Sequence, residues 1–430
     1  MTSPTLEEAR GLLSFLDASP SPFHAVAAVA RRLEAAGFRP VAEAEPWGEV
    51  AGRRYAVRGA SLVAWVLAGD EAPGTGFRIV GAHTDSPTLR IKPRPDARRE
   101  GLRQLGVEVY GSALVNSWLD RDLGVAGRVW LRAEEAPAAR TFHLARPLLR
   151  IPQLAIHLDR DVREKGLLLN AQQHLAPIWG IDDGTERGFR ALLGRELAVD
   201  PAAILSWDAV LCDTAPSTLL GADEEFVSGP RLDDLCSCYC GLRALVRRAE
   251  AGGRGAFIPV LCLFDHEEVG STSARGAASP LLEAILERIV LTRGGGREDY
   301  HRSTVASVCA SADMAHATNP NYADRHEPDH HLELNKGPVI KINANLRYAT
   351  DGETEALFAA ACETAGVPYQ KFVNRTDLAC GTTIGPITAG RLGIRTVDVG
   401  NPELAMHSIR ELCGAHDPEY MIRALVAFHG

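Results

Sequence analysis

The chain has 430 residues and a formal net charge of −9, with 46% hydrophobic and 23% charged residues. A chain of this length predicts two or three domains of about 150 residues each, and the composition allows a large buried core without disulfides. Lys and Arg are outnumbered by Asp and Glu, 46 to 55, which argues against a nucleic-acid partner because phosphate binding needs a basic surface.

The N-terminal segment, residues 1–8, lacks a basic start and an apolar core. No apolar run approaches the ~18 residues that a membrane span needs. We therefore expect a cytoplasmic protein with no membrane partner. The nine cysteines are odd in number and scattered, which predicts reduced thiols rather than a disulfide framework.

The first part of the chain predicts a helix followed by strands. Apolar residues recur at helical spacing from Val26 to Leu33, before the break at Gly37. Strands are then predicted at Leu62–Ala68 and Phe77–Val80. Residues 91–230 have a different pattern, with short apolar segments such as Leu148–Leu158, and we interpret them as an inserted β-rich domain.

Alternating helices and strands return after Pro230. The predicted elements are a helix at Leu232–Ala251, a strand at Phe257–Phe264, a helix at Pro280–Thr292, and strands at Thr304–Cys309, Val339–Asn343 and Arg395–Val399. This alternation predicts an α/β fold with a mixed, largely parallel sheet flanked by helices, formed by residues 1–90 and 231–430 as one discontinuous domain. Ligand sites in such sheets lie beyond the carboxyl ends of the strands.

Polar residues follow several of these strands. His83 and Asp85 come after the Phe77–Val80 strand, and residues two apart on an extended chain share a face, so Asp85 could brace an imidazole that binds metal. On its own, a histidine after a strand is more often a loop or core residue.

Glu267 and Glu268 follow another apolar strand. Beside a cation, one of them could bind metal while the other takes a proton from water, although an acidic loop is the alternative.

Three further residues complete a set of candidate metal ligands. Asp233 begins a predicted helix, where capping of backbone amides is the alternative role. Asp313 and His407 each follow an apolar strand. Imidazoles and carboxylates without thiolates suit zinc, and manganese or cobalt could substitute. A carboxylate shared by two ions would hold them about 3.5 Å apart.

The sequence resembles the aspartyl aminopeptidase family of zinc peptidases along nearly its whole length. The motifs that carry the resemblance are Gly81–Pro87, Arg231–Asp234, Asp265–Ser271, Asp313–Tyr322, Gly337–Lys341, Gly381–Pro386 and Ala405–Glu411. The resemblance implies two zinc ions per subunit with these roles: Asp233 bridges the ions, His83 and Asp313 complete one site, Glu268 and His407 complete the other, Glu267 is the general base, and Asp85 orients His83.

The resemblance also implies contributions from outside this cluster. His157 resembles a histidine that reaches a neighbouring subunit's site and stabilises an oxyanion; the alternative is a packed strand residue. Lys341 and Tyr348 resemble the segment that recognises an acidic substrate side chain, whereas a solvated lysine is the alternative. The family further implies a homo-oligomer, a dodecamer built from dimers, with residues 91–230 as the dimerisation and oligomerisation domain.

The expected function is release of an N-terminal residue, Asp or Glu, from peptides with a free N-terminus. Three alternatives stay open: a preference for neutral residues, another two-metal reaction such as a carboxypeptidase or amide deacylase, and a non-catalytic peptide-binding assembly on the same fold. The presence of Glu267 and all five candidate ligands argues against the last.

Overall fold

The computed structural model of the chain describes residues 6–48, 50–185, 188–252 and 255–430. Met1–Thr5 of the N-terminal segment lie outside the described residues.

The described residues form eleven α-helices and twenty β-strands. The α-helices are α1 Glu7–Asp17, α2 Pro22–Ala35, α3 Val162–Lys165, α4 Ala171–His174, α5 Phe189–Leu197, α6 Leu232–Ala251, α7 Leu281–Thr292, α8 Arg297–Ala306, α9 Gly352–Ala365, α10 Ile384–Leu392 and α11 Asp417–His429. Strands β1 to β10 are Arg39–Pro40, Gly52–Arg58, Ser61–Leu67, Phe77–His83, Thr88–Arg99, Leu102–Tyr110, Leu123–Leu131, Ala138–Leu149, Ile178–Ile181 and Ile204–Asp213. Strands β11 to β20 are Thr218–Leu220, Phe226–Gly229, Ile258–Phe264, Val308–Ala312, Ala315–His316, Val339–Ile342, Gln370–Val373, Arg395–Gly400, Pro402–Leu404 and Glu411–Gly414.

The largest sheet has nine strands in the order β1-β2-β3-β13-β4-β14-β18-β16-β17. Its four central strands, β13, β4, β14 and β18, are parallel to one another, whereas β2, β3 and β16 contribute antiparallel pairs. The prediction of a mixed, largely parallel α/β sheet is confirmed.

Helices cover both faces of this sheet. Strand β13 is buried at all seven positions because alternate side chains enter two different cores. Leu261 and Leu263 pack on one side with α1, α2, α6, α9 and α11. Val260, Cys262 and Phe264 pack on the other side with α7, α10 and part of α8. Burial on both faces explains the nearly continuous apolar sequence of the strand.

A second sheet of six strands, in the order β8-β7-β10-β5-β6-β9, lies between Thr88 and Asp213 in the sequence. Its apolar face packs on α5 through Phe189, Leu192 and Leu193. A third sheet, β11-β12-β20-β19-β15, joins strands before α6 to strands near the C-terminal end. The domain division at residues 90 and 230 stays a prediction.

Most predicted elements after Pro230 are confirmed, and α6 has the predicted bounds Leu232–Ala251. The strand predicted at Thr304–Cys309 is wrong, because residues 304–306 continue helix α8 and the strand spans Val308–Ala312. Tyr300, Ser303 and Thr304 are buried at helical spacing, while Val305 is 73% exposed. Packing of one helical face therefore outweighs the β propensity of Thr304 and Val305.

The cysteines are free thiols, as predicted. None of the described helices is both long enough and apolar enough to cross a membrane.

Candidate metal centre

The predicted ligands meet at the carboxyl ends of the central parallel strands. His83 ends β4, Asp313 directly follows β14, and Glu267 and Glu268 come just after β13. His407 lies in the connection between β19 and β20. Asp233 does not follow a strand of this sheet but lies at the start of α6, where its backbone is not yet helical. The fold thus converges five separate segments on the edge of the sheet where α/β proteins place ligands.

Among the described residues, three overlapping groups have nitrogen and oxygen atoms close enough to hold a metal ion. They are His83, Asp233 and Asp313; Asp233, Glu268 and His407; and His83, Glu267 and Glu268, with the atoms of each group within 4.8 Å of one another. Asp233 joins the first two groups, since its Oδ1 is 3.3 Å from His83 Nε2 and its Oδ2 is 3.2 Å from His407 Nε2. One carboxylate oxygen of Asp233 therefore faces His83 and the other faces His407, and its bridging role stays a prediction.

The cluster contains buried carboxylate oxygens that lack hydrogen-bond partners in the described part of the chain and that a cation could bind. Asp233 Oδ1 and Glu268 Oε1 are buried and accept no hydrogen bond from the described residues. Burial and then the charge of Asp233 raise the pKa of Glu268 well above its usual value. Carboxylates so placed disfavour one another's ionisation, and a divalent cation removes that penalty. The imidazole and carboxylate donors are those that zinc prefers. The residues therefore fit zinc.

The orientation of His83 is fixed by the segment that follows it. Its Nδ1 lies 3.0 Å from the main-chain oxygen of Asp85 and 3.5 Å from the Asp85 carboxylate, so the carbonyl is the nearer partner. This contact leaves Nε2 facing the cluster. The Asp85 carboxylate instead accepts the main-chain N–H groups of Glu267 at 3.0 Å and Glu268 at 3.1 Å. Asp85 thereby supports three members of the cluster at once.

Glu267 lies at the border of the cluster. Its side chain is 12% exposed and its Oε2 is 4.0 Å from His83 Nε2. Burial is the main cause that raises the pKa of Glu267 to about 7, and the charges of Asp313 and Asp233 act in the same direction against that of His83. A carboxylate that is near the ligands but still partly open can exchange a proton with water.

The two predicted substrate-binding residues lie on the far side of Asp313. Lys341, on β16, is 2% exposed. Its Nζ is 3.4 Å from Asp313 Oδ1 and lies 5.1 Å from the centre of the Tyr348 ring. The alternative of a solvated lysine is therefore wrong. Burial acts to lower the pKa of Lys341, but the charges of Asp313, Asp398, Asp233 and Asp234 together outweigh it and raise the pKa.

His157 lies apart from these groups. Strand β8 ends at Leu149, and residues 156–158 form an exposed turn. The alternative of a packed strand residue is therefore wrong. Leu154, Ile156 and Leu158 beside it are 56%, 42% and 76% exposed. None of the three candidate groups includes His157.

Three residues that contact the cluster received no role from the sequence. Asp234 accepts the main-chain N–H of His83 at 3.0 Å, Tyr110 donates its hydroxyl to Asp85 at 2.7 Å, and Glu411 accepts two main-chain N–H groups of the cluster. Their partners are main-chain atoms or residues distant in sequence. The one available signal was that Asp234 and Glu411 belong to the motifs that carry the family resemblance.

One glycine permits the close approach of two site segments. A Cβ built on Gly400 would lie 1.9 Å from the main-chain oxygen of Asp313. Any other residue here would push β18 away from the segment that carries Asp313.

Comparison with known proteins matches the sequence to a family. The sequence model of the family described as Aminopeptidase I zinc metalloprotease (M18) matches residues 15–429. The chain belongs to the M18 family. It is a metallo-aminopeptidase of that family, and the predicted resemblance is confirmed at the family level.

Relatives and solved structures agree with this assignment. A probable M18 family aminopeptidase 2 of Streptomyces coelicolor is 53% identical over 418 residues, which cover 97% of this chain and 96% of the relative. The structure described as the Ape4 and Nbr1 complex has a TM-score of 0.94 at 38% identity, covering 98% of this chain and 85% of that chain. The S. cerevisiae mApe1 dodecamer has a TM-score of 0.85 at 26% identity, covering 98% and 96%.

Proposed function

We propose that this M18 peptidase binds two zinc ions per subunit and releases N-terminal Asp or Glu from peptides. The observation that carries the proposal is the pair of groups that share Asp233. His83 and Asp313 would complete one zinc site, and Glu268 and His407 the other, with manganese or cobalt as substitutes. Two adjacent sites with one shared carboxylate are the arrangement used by two-metal aminopeptidases.

Glu267 is the proposed general base. The chemistry that zinc supplies when bound is Lewis acidity toward a carbonyl oxygen and a lower pKa for a nearby water. Glu267 takes the proton of the attacking water and returns it to the departing amine. Asp85 holds the main chain of Glu267 through the 3.0 Å hydrogen bond and so keeps the carboxylate at the cluster. The free amine of the substrate would lie beside the carboxylates of the candidate ligands. Because this places the N-terminus at the cluster, the enzyme would remove one terminal residue and would not cut internally.

The acidic preference is assigned to Lys341 and Tyr348. An ammonium has three N–H donors. Lys341 Nζ lies 3.4 Å from Asp313 Oδ1 and 3.1 Å from the main-chain oxygen of Met314, and these two contacts use two of the donors. The third donor is available to a substrate in this proposal. A substrate carboxylate could accept that hydrogen bond beside the Tyr348 ring, in surroundings of low polarity where a charged pair is strong.

His157 is proposed to act in a neighbouring subunit of a homo-oligomer. Its exposed turn carries Leu154, Ile156 and Leu158, which have apolar surface open to solvent in the single chain. The mApe1 relative is described as a dodecamer. We propose the same assembly, built from dimers, for this chain in the cytoplasm. Residues 91–230 would form the oligomerisation domain, and residues 1–90 with 231–430 the catalytic domain.

The test is hydrolysis of aspartyl, glutamyl, leucyl and lysyl peptides by the zinc-loaded protein. A Glu267→Gln variant and a chelated sample serve as controls. We expect fast release of Asp and Glu, and a loss of about 100-fold or more in kcat for Glu267→Gln because the base is absent. Preference for the leucyl peptide would contradict the proposed acidic specificity but would be consistent with the proposed mechanism. Cleavage only of peptides with blocked N-termini would favour a deacylase, and binding without turnover a non-catalytic assembly.

A further inference from the structure

Glu411 connects the main chains of two predicted zinc ligands. It begins β20 and is 2% exposed. Its Oε2 accepts the main-chain N–H of Asp233 at 3.1 Å, and its Oε1 accepts the main-chain N–H of His407 at 2.7 Å. A single carboxylate therefore holds two segments that are far apart in the sequence.

The same two segments meet again at their side chains. His407 Nε2 lies 3.2 Å from Asp233 Oδ2. The His407 ring is held from behind, with Nδ1 3.1 Å from the main-chain oxygen of Ser112. Main-chain contacts to Glu411 and the side-chain contact thus close a ring of three residues. Such a ring fixes the distance between the donor atoms before any ion binds.

The backbone of His407 needs this support. Its φ is +66°, in the left-handed region that residues with a Cβ seldom occupy. Such a conformation is strained and persists only where surrounding contacts determine it. The short hydrogen bond from the His407 N–H to Glu411 is one of those contacts.

The third sheet places Glu411 between its partners. Strand β20 pairs with β12 and β19, and Glu411 lies opposite Gly229, just before the segment that leads to Asp233. His407 lies in the turn between β19 and β20. The carboxylate is therefore set by paired strands and not by a mobile loop.

A purely structural role is the alternative for Glu411, and Asp417 is an example of a buried carboxylate with such a role. Asp417 is also fully buried, and its carboxylate accepts the main-chain N–H groups of Asn335 at 2.7 Å and Gly337 at 2.9 Å. Neither partner is a predicted ligand. Asp417 is thus a matched control for the loss of a buried carboxylate with two main-chain partners.

We propose that Glu411 is a positioning residue that sets the spacing of Asp233 and His407 and thereby the affinity for the zinc ion that they hold with Glu268. The inference rests on the proposed function. Glu411 supports two of the three residues in that group but only Asp233 in the group with His83 and Asp313. Its loss should therefore weaken one ion more than the other.

The experiment is a zinc titration of metal-stripped full-length protein against a competing chelator. It compares wild type, Glu411→Gln and Asp417→Asn, with thermal unfolding of each. A glutamine has one acceptor oxygen, and its NH₂ group would face a main-chain N–H. We expect the weaker zinc ion of Glu411→Gln to lose about 10- to 100-fold in affinity, the range for partners behind metal ligands. Activity should return as free zinc is raised, while Asp417→Asn binds zinc as wild type does.

Other outcomes separate the inference from the proposed function. Equal zinc affinity in wild type and Glu411→Gln, or equal losses in Glu411→Gln and Asp417→Asn, would overturn the role of Glu411. Two equally weakened ions in Glu411→Gln would overturn it as well. Wild-type protein that binds no zinc would overturn the proposed function itself. If Glu411→Gln does not fold, Glu411→Asp replaces it, since the shorter side chain keeps the charge but cannot reach both N–H groups.

Discussion

At the scale of single residues, burial changes what a charged side chain can do. A lysine on the surface is a solvated cation, but Lys341 is 2% exposed and is held between Asp313 and the Tyr348 ring. Taking an ammonium out of water is costly unless it is paired, and here Asp313 supplies the pairing charge. We propose that the same ammonium also pairs with an acidic substrate side chain.

The acidic preference should depend on Lys341 more than catalysis does. Lys341→Met removes the cation but retains the length of the side chain, so we expect kcat/KM for aspartyl and glutamyl peptides to fall about 10- to 100-fold relative to leucyl peptide, the value of one charged hydrogen bond. The leucyl peptide is the control, because damage to Asp313 would affect all substrates alike. Equal losses on all peptides would show that Lys341 supports Asp313 without reading the substrate.

The sequence could predict which residues meet but not what holds them. His83, Glu267, Glu268 and Asp313 follow apolar strands directly, and an α/β sheet brings strand exits together. Tyr110 and Glu411 could not be assigned in this way. Their hydrogen bonds go to Asp85 and to main-chain N–H groups, and such contacts leave no pattern in side-chain type or spacing.

At the scale of elements, long helices and buried strands were predictable because their apolar pattern is continuous. Helix α6 and strand β13 show this, since both are buried along most of their length. Short elements were less so. Val305 is β-branched yet exposed on helix α8, because the burial of Tyr300 and Ser303 decides the local structure. Tertiary packing of this kind cannot be read from a window of a few residues.

Helix α2 should respond to pH through His24. Its Nδ1 lies 2.8 Å from Ser21 Oγ, and its ring contacts His143 of β8. Burial, and then the charges of His143, Arg231 and Arg31, lower the pKa of His24 to about 4 from an ordinary value of 6.5. The unfolded chain therefore binds more protons between these values, so the free energy of unfolding falls as pH falls from about 6.5 to about 4.

The contribution of His24 can be isolated with His24→Gln, which cannot titrate in this range. Between pH 7 and pH 5, wild type should lose about 1 to 2 kcal/mol of stability relative to the variant. The midpoints of urea unfolding, followed by tryptophan fluorescence at each pH, give the difference. Parallel pH curves for the two proteins would contradict the assigned burial of His24.

At the scale of the whole molecule, the second sheet and the cluster divide the proposed work. The exposed apolar turn with His157 follows strand β8 of the second sheet, while the candidate ligands lie at strand ends of the nine-stranded sheet, at the start of α6 and between β19 and β20. The change of pattern near residue 91 predicts a domain boundary there, and that boundary stays a prediction. The sequence could not indicate that β12 would pair with β20. In chain order, β12 comes before the later strands of the large sheet and β20 comes after them, so the pairing joins distant segments.

Mixed oligomers should show whether His157 acts across subunits. Glu267→Gln and His157→Ala are each expected to be weakly active, but dissociating and reassociating the two together should restore about a quarter of wild-type sites, since half of the random dimers are mixed and each has one intact site. A mixture of Glu267→Gln with Glu268→Gln is the control, because both changes lie in the same site of their own chain. No recovery in the first mixture would show that His157 does not act in a neighbouring subunit's site.

The chain order of the cluster has a consequence for biosynthesis. His83 leaves the ribosome early, and the segments with Asp233, Glu267, Glu268 and Asp313 follow, but His407 and the supporting Glu411 are synthesised after all of them. A nascent chain that ends before residue 407 can form most of the large sheet and still lack one side of the cluster. We therefore expect a nascent chain to have no peptidase activity until synthesis has passed these residues.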